Sequence, residues 1–279
     1  MTVQRLNARF ADLRAKNQAG FVAYMMAGDP DLVTSAAILK ALPQAGADII
    51  ELGYPFSDPM AEGPPIQRAA QRSLKAGMTL RGTLDIAKGF RDGDPATPVV
   101  LMGYLNPLLS YGLDAFARDA AGAGVDGLIV VDCPPEEAEP LADALEAFEI
   151  ALIRLATPTS DERRLPVVLR RTSGFVYYVS VAGVTGVKEA DAAVVAPAVA
   201  RVRGASGLPV AVGFGIKTTE RAAAVARVAD AVVVGSALVD EIAAAIQQHT
   251  PPAPGVLERA TQLAQAIHAA RIDQPAKQA

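Results

Sequence analysis

Short apolar runs alternate along the chain with longer stretches in which apolar residues recur at helical spacing. Each apolar run has the length and the Val, Ile and Leu content that are typical of a buried strand. The predicted strands are 20–26, 47–53, 98–103, 127–132, 150–156, 174–180, 209–215 and 229–235. The intervening stretches with helical periodicity include 31–45, 113–123, 135–148 and 218–227.

Eight strands that each lead into a helix predict a parallel sheet, and eight is the number that closes such a sheet into a barrel. We therefore predict one (β/α)8 (TIM) barrel domain over 1–279, with its core at about 17–248. An open doubly wound sheet is the alternative fold. It is disfavoured because no Gly-x-Gly-x-x-Gly motif follows the first predicted strand.

Segments at both ends fall outside the repeat. Residues 1–19 predict an extra N-terminal helix that covers the bottom of the barrel. The Pro-rich segment 250–255 predicts a break, after which 256–270 shows the periodicity of one more amphipathic helix. We expect 250–279 to be a peripheral helical extension that ends in a frayed tail.

Composition excludes several classes of protein. The net charge is -4, and the absence of a basic run or stripe argues against a nucleic-acid partner. A single cysteine, Cys133, permits no intramolecular disulfide, and we expect no metal site. No apolar run reaches about 18 residues and no signal-peptide core is present, so we expect a cytoplasmic protein that does not bind membranes.

Catalytic groups of such a barrel lie at the C-terminal ends of its strands. The polar residues at predicted strand ends are Glu51, Tyr104, Asn106, Asp132 and Tyr177. Strand alternation places Ile49 and Glu51 on one face and Ile50 and Leu52 on the other. A carboxyl group in apolar surroundings has a raised pKa, which suits a general acid or base. The alternative for Glu51 is an ion pair at the barrel rim.

Two further acidic residues, Glu62 and Asp132, can likewise be interpreted as either catalytic or structural. Glu62 follows Glu51 in a loop region that is stiffened by Pro55 and Pro59 before it and by Pro64 and Pro65 after it, so the loop can bring a second carboxylate over the site. A solvated loop residue is the alternative for Glu62. For Asp132 the alternatives to a catalytic role are an ion pair or a loop cap.

Glycines follow the last three predicted strands. They occur in Gly183-Val-Thr-Gly186, in Gly213-Phe-Gly215 and in Gly235-Ser236, which opens a helical stretch. Glycine lets backbone N–H groups approach an anion, and a helix N-terminus adds partial positive charge. The pattern indicates a phosphate site, although tight turns also require glycine.

Several motifs resemble the tryptophan synthase alpha subunit family, in the family's order and over about residues 5–248. The most specific is Glu-Leu-Gly-Tyr-Pro-Phe-Ser-Asp-Pro at 51–59. The others are Phe-Val-Ala-Tyr-Met-Met-Ala-Gly-Asp-Pro at 21–30, Leu-Met-Gly-Tyr-Leu-Asn-Pro at 101–107, Ser-Val-Ala-Gly-Val-Thr-Gly at 180–186, Gly-Phe-Gly-Ile at 213–216 and Gly-Ser-Ala at 235–237.

The resemblance implies a lyase of tryptophan biosynthesis that splits indole-3-glycerol phosphate into indole and glyceraldehyde 3-phosphate by a retro-aldol reaction. It implies that Glu51 protonates the indole ring carbon and that Glu62 accepts the indole N–H proton. The other positions that it implies contact the substrate are Tyr177, Tyr24 and Leu101, with Gly186, Gly215, Gly235 and Ser236 at the phosphate.

The resemblance also implies a partner, a β subunit in an αββα assembly. Pyridoxal phosphate belongs to that partner and no cofactor is expected in this chain. Asp58 matches the region that contacts the partner. The chain departs from the family at Glu62, where the family usually has Asp, in the loop at Val181 and Ala182, and in its longer C-terminus.

Three hypotheses remain open from the sequence. The chain is an active lyase subunit, or a weakly active scaffold that mainly activates a β subunit, or a different phosphosugar-binding barrel such as an isomerase. The extra methylene of Glu62 moves the carboxylate by about 1 Å, a shift that can cost about 100-fold in rate.

Overall fold

A computed structural model describes residues 3–180, 192–213 and 215–271. Eight parallel strands close into a barrel in sequential order, because the last strand pairs with the first. The strands are β1 (Gly20–Met26), β2 (Ile49–Gly53), β3 (Val99–Gly103), β4 (Gly127–Val130), β5 (Ala151–Ala156), β6 (Val176–Val179), β7 (Val210–Gly213) and β8 (Ala231–Val234). The predicted barrel is confirmed, with strands that are equal to or a few residues shorter than the apolar runs.

Helices surround this barrel. Within the described residues they are α1 (Val3–Ala15), α2 (Leu32–Ala41), α3 (Pro64–Lys75), α4 (Leu80–Arg91), α5 (Leu105–Tyr111), α6 (Leu113–Gly122), α7 (Glu139–Glu146), α8 (Leu165–Val168), α9 (Ala192–Ser206), α10 (Thr219–Ala226), α11 (Ser236–Gln247) and α12 (Pro252–Ala269), with a 3-10 turn at Pro135–Glu137.

Strand alternation sorts the core into layers. Outward residues such as Ile50 and Leu52 pack against the helices in one large apolar cluster. Inward residues such as Ile49 fill the barrel in a second cluster. Glu51 follows Ile49 by two positions on the inner face, as the sequence predicts.

The N-terminal helix α1 closes the bottom of the barrel. Its Leu6 and Phe10 join the inner cluster, and the ring of Phe10 lies 5.7 Å from that of Phe175. Burying these side chains removes apolar surface from water at the end of the barrel opposite the strand C-termini. The N-terminal helix predicted within residues 1–19 is thus present as α1, and it covers the bottom of the barrel.

Three aspartates at the N-terminal ends of even-numbered strands fasten the barrel floor. Each carboxylate accepts a backbone N–H from the first or second residue of the preceding strand, in the pairs Asp48 with Phe21, Asp126 with Val99 and Asp230 with Val210. Their side-chain partners are Arg9 and the His268 ring for Asp48, Arg5 and Arg91 for Asp126, and Arg203 for Asp230. Acidic residues on this face therefore serve structure.

Helix α12 begins at Pro252, four residues before the predicted start, because proline is compatible with the first turn of a helix. Its apolar face is fully packed in the outer cluster, through Val256, Ala260, Leu263, Ala264 and Ile267. Among the residues that the structure describes, no helix is long and apolar enough to cross a bilayer.

Candidate active site

The C-terminal mouth of the barrel brings together the inward side chains of β1, β2 and β6. Tyr24 lies beside Glu51 in the β1–β2 register, and Tyr177 projects inward from β6. All three side chains are buried, Glu51 at 1% exposure. Polar groups sheltered from water in this way interact strongly with one another and with a bound ligand.

Glu51 meets no charged partner among the described residues. Its Oε2 atom is buried without a hydrogen bond, and none of the ion pairs among the described residues includes it. Burial, reinforced by the neighbouring Glu62 charge, raises the pKa of Glu51 to about 8. The structure therefore gives no support to the alternative of a rim ion pair, and the raised pKa favours the protonated form of Glu51 near neutral pH.

The loop after β2 returns a second carboxyl group to the mouth. Glu62 is only partly exposed, and burial raises its pKa to about 7. It lies near enough to Glu51, Tyr24 and Tyr177 to raise the pKa of each. Glu62 is thus not a freely solvated loop residue.

Glycines make room for the two inward tyrosines. A Cβ atom on Gly213 would lie 2.1 Å from the Tyr177 hydroxyl oxygen, and one on Gly53 would lie 2.5 Å from that of Tyr24. Burial, and then the two glutamates, raise the pKa of both phenols well above the usual value, so both hydroxyls stay protonated donors.

The proposed phosphate positions lie at the ends of β7 and β8. Gly215 is exposed, and a Cβ atom added to it would meet no other atom within 4 Å. Its φ of +72° nevertheless favours glycine, so a tight turn alone would also explain this residue. Gly235 directly precedes α11, whose first residue is Ser236. The N-terminus of this helix therefore opens at the mouth. Gly186, with Val181 and Ala182, lies outside the described residues.

Leu101 requires a correction. It was expected to line the indole pocket, but it is fully buried in the outer cluster between the barrel and the helices. Its neighbours Val100 and Met102 are the inward residues of β3, and Met102 packs against the cluster that contains Tyr24. An entirely apolar strand does not show which of its faces points inward, so sequence reasoning missed Met102.

The remaining polar residues at strand ends have structural positions. Asp132 accepts the backbone N–H of Leu105 at 2.7 Å and thereby caps α5, which confirms the loop-cap alternative. Asn106 is exposed. Within the described ranges, no group of three or more His, Cys, Asp and Glu side chains could hold a metal ion.

A closed parallel barrel with two carboxyl groups of raised pKa at its C-terminal mouth defines a (β/α)8-barrel enzyme that uses carboxylate acid–base chemistry. The family model described as "Tryptophan synthase alpha chain" matches residues 10–268. The chain therefore belongs to the tryptophan synthase alpha chain family.

Individual relatives are similar over nearly the whole chain. The tryptophan synthase alpha chain of Caulobacter sp. (strain K31) is 70% identical over 273 residues, covering 98% of this chain and 99% of the relative. That of Phenylobacterium zucineum is 69% identical, covering 97% and 98%. The crystal structure of the alpha subunit from Legionella pneumophila str. Paris superposes with a TM-score of 0.87 at 38% identity, covering 94% and 98%.

Proposed function

We propose that this barrel cleaves indole-3-glycerol phosphate into indole and glyceraldehyde 3-phosphate, the lyase step of tryptophan biosynthesis, with Glu51 and Glu62 as its acid–base groups. The observation that carries the assignment of residues is Glu51: a buried, unpaired carboxyl group that faces the mouth with a pKa of about 8. Such a group is a proton donor at neutral pH.

The two glutamates divide the proton transfers. Glu51 donates a proton to C3 of the indole ring, while ionised Glu62 accepts the proton of the ring N–H. The bond between C3 and the glycerol side chain then breaks, and its electron pair restores the aromatic ring. Glu51 takes the proton of the side-chain hydroxyl, which becomes the aldehyde, and Glu62 returns its proton to the ring nitrogen. Two carboxyl groups of different pKa suit these opposite roles.

The substrate's two ends would occupy opposite parts of the mouth. Tyr24, Met102 and Tyr177 surround the space beside Glu51 and would contact the indole ring. The phosphate would lie at Gly215, Gly235 and Ser236, where backbone N–H groups and the N-terminus of α11 favour an anion. Gly186 stays a predicted phosphate contact. Binding energy from the phosphate holds the ring against the two carboxyl groups.

A partner subunit completes the proposal. We propose that the chain docks on a tryptophan synthase β subunit in an αββα assembly, and that pyridoxal phosphate is bound by that partner and not by this chain. The segment around Asp58 supports this docking because Ser57, Asp58 and Met60 are exposed, Met60 at 88%. The exposed apolar side chain of Met60 suits a protein contact. The cytoplasmic location stays a prediction.

The test of the proposal is Glu51→Gln, which keeps the shape of the side chain and removes its titrating proton. Indole release from indole-3-glycerol phosphate should fall by at least about 100-fold, the usual contribution of a general acid. Substrate affinity measured by calorimetry should persist. Glu258→Gln, an exposed change on α12, is the matched control. Wild-type turnover in Glu51→Gln would refute the assignment.

The scaffold hypothesis separates from this proposal at Glu62. The family's usual Asp would place the carboxyl group about 1 Å farther back, and the loop around Glu62 is held by specific hydrogen bonds. We therefore expect Glu62→Asp to lower turnover, because the site is adapted to Glu. A many-fold gain in Glu62→Asp would favour a weakly active scaffold. Membership of the family removes the support for a phosphosugar isomerase.

A further inference from the structure

Tyr104 is a buried polar residue at the mouth to which the proposed chemistry gives no role. Its hydroxyl oxygen accepts the backbone N–H of Ala61 at 2.9 Å. Ala61 immediately precedes Glu62, so this hydrogen bond holds the Met60–Ala61 peptide group, one residue before the glutamate. Burial, and then the Glu62 charge, raise the pKa of Tyr104 to about 12, so the hydroxyl remains neutral and keeps its own proton.

Gln67 fixes the peptide on the other side of the glutamate. Its Nε2 atom donates to the carbonyl oxygen of Glu62 at 2.9 Å and to that of Pro59 at 3.4 Å. Gln67 lies in the first turns of α3, directly after the loop. The backbone on both sides of Glu62 is therefore held by side chains from two separate elements.

Tyr104 is itself rigidly held. The Tyr54 hydroxyl donates to the carbonyl oxygen of Tyr104 at 2.9 Å. The ring of Phe56 stacks on the Tyr104 ring, with centroids 5.2 Å apart and an interplanar angle of 29°. Because Tyr54 and Phe56 belong to the segment that leads to Glu62, Tyr104 contacts this segment at both its start and its end.

We propose that Tyr104 and Gln67 are positioning residues that together set the reach of the Glu62 carboxylate toward the ring nitrogen of the substrate. Neither residue takes part in proton transfer itself. The longer Glu side chain has one more rotatable bond than Asp, so its function depends on a backbone that is held both before and after Glu62. This inference rests on the catalytic role proposed for Glu62.

The experiment is a double-mutant cycle on the full chain, with indole release from indole-3-glycerol phosphate as the assay. Tyr104→Phe removes the acceptor for Ala61 N–H and leaves the ring stack in place. We expect kcat to fall about tenfold with little change in KM, since displacement of a catalytic group by a fraction of an ångström acts on the transition state. Tyr111→Phe, which removes a hydroxyl that donates to Asp119 on the outer helices, is the control.

The background variant Glu62→Gln makes the cycle decisive. If Tyr104 acts through Glu62, the double variant Tyr104→Phe/Glu62→Gln will be as slow as Glu62→Gln alone. An equal further loss from Tyr104→Phe in that background overturns the inference, as does wild-type kcat in Tyr104→Phe. Wild-type kcat in Glu62→Gln would refute the proposed function instead, so the two failures are distinguishable.

Gln67→Met provides a second, independent route if Tyr104→Phe folds poorly in thermal melting. It keeps the length of the side chain and removes the donor to the Glu62 carbonyl. The same loss of kcat is expected, again absent in the Glu62→Gln background. The acidic limb of the kcat profile against pH should shift in both single variants, because the surroundings of Glu62 change. An unshifted limb together with wild-type kcat in Gln67→Met would overturn the shared role.

Discussion

Burial of Glu51 without a partner disfavours its charged form, and this lowers stability at high pH. The unfolded chain loses this proton near pH 4.5, whereas the folded chain keeps it to about pH 8. Between these values the folded state binds the additional proton, so the free energy of unfolding decreases as pH rises.

Glu51→Gln removes this penalty because an amide cannot ionise. We expect the variant to unfold at a higher urea concentration than the wild type at pH 8. The corresponding gain in the free energy of unfolding should be on the order of a few kcal/mol. The difference should shrink toward pH 4.5. Urea titrations at several pH values measure this difference. A difference that does not change with pH would mean that folding does not raise the pKa of Glu51.

The two pKa values also shape the rate. The proposed mechanism requires Glu62 to be ionised and Glu51 to be protonated. As pH rises through about 7, Glu62 loses its proton and kcat/KM should increase; as pH rises through about 8, Glu51 loses its proton and kcat/KM should decrease. We therefore expect a narrow bell with its maximum between these values. A rate that keeps rising beyond pH 9 would contradict the acid role of Glu51.

Gly215 combines a backbone requirement with the proposed phosphate contact. Its φ of +72° is strained for any other residue, so Gly215→Ala should cost about 1 kcal/mol of stability even though the space around it is open. Affinity for inorganic phosphate and for the substrate should fall as well. Calorimetry and thermal melting separate the two effects, and a stability loss with unchanged affinity would identify a turn residue only.

At the scale of elements, hydrophobic periodicity and turn residues were sufficient to find the eight strands. They did not show, for every strand, which face points into the barrel. Glu51 identified the inner face of β2, because a polar residue breaks the apolar run. Strand β3 carries no such marker before Tyr104, so Leu101 and Met102 could not be told apart. The contacts of Gln67 with the loop before α3 depend on tertiary placement and have no signature in the sequence.

Helix α12 shows how an element outside the repeat is attached. Its His268 ring lies 2.7 Å from Asp48 at the barrel floor, in addition to the apolar face that packs on the outer cluster. We expect His268→Ala to lower the free energy of unfolding by about 1–2 kcal/mol, since a buried acceptor loses one partner. Gln265→Ala, on the exposed face of the same helix, is the control in urea unfolding. Equal effects of the two changes would contradict a specific anchor.

Across the whole molecule, acidic residues have opposite surroundings at the two ends of the barrel. At the floor Asp48, Asp126 and Asp230 are paired with arginines and with backbone N–H groups. At the mouth none of the ion pairs of the described residues includes Glu51 or Glu62, and both have raised pKa values. The sequence showed which end of its strand each acidic residue occupies. Only the fold showed which of these carboxylates are paired with cations, and this pairing distinguishes the structural carboxylates from the proposed catalytic ones.

The proposed docking segment lies next to the mouth, and the exposed Met60 provides a test of whether the partner binds there and stimulates catalysis. Met60 lies two residues before Glu62 and is 88% exposed. Met60→Glu puts a charge on an apolar contact, so a β subunit should bind more weakly, as measured by titration calorimetry, and should stimulate indole release less. Release by the isolated chain should be unchanged, because Met60 points to solvent. Thr261→Glu on α12 is a control away from the mouth. Undiminished stimulation in Met60→Glu would place the partner elsewhere on the barrel, since a charge buried in a tight interface without a counter-ion cannot be neutral in energy.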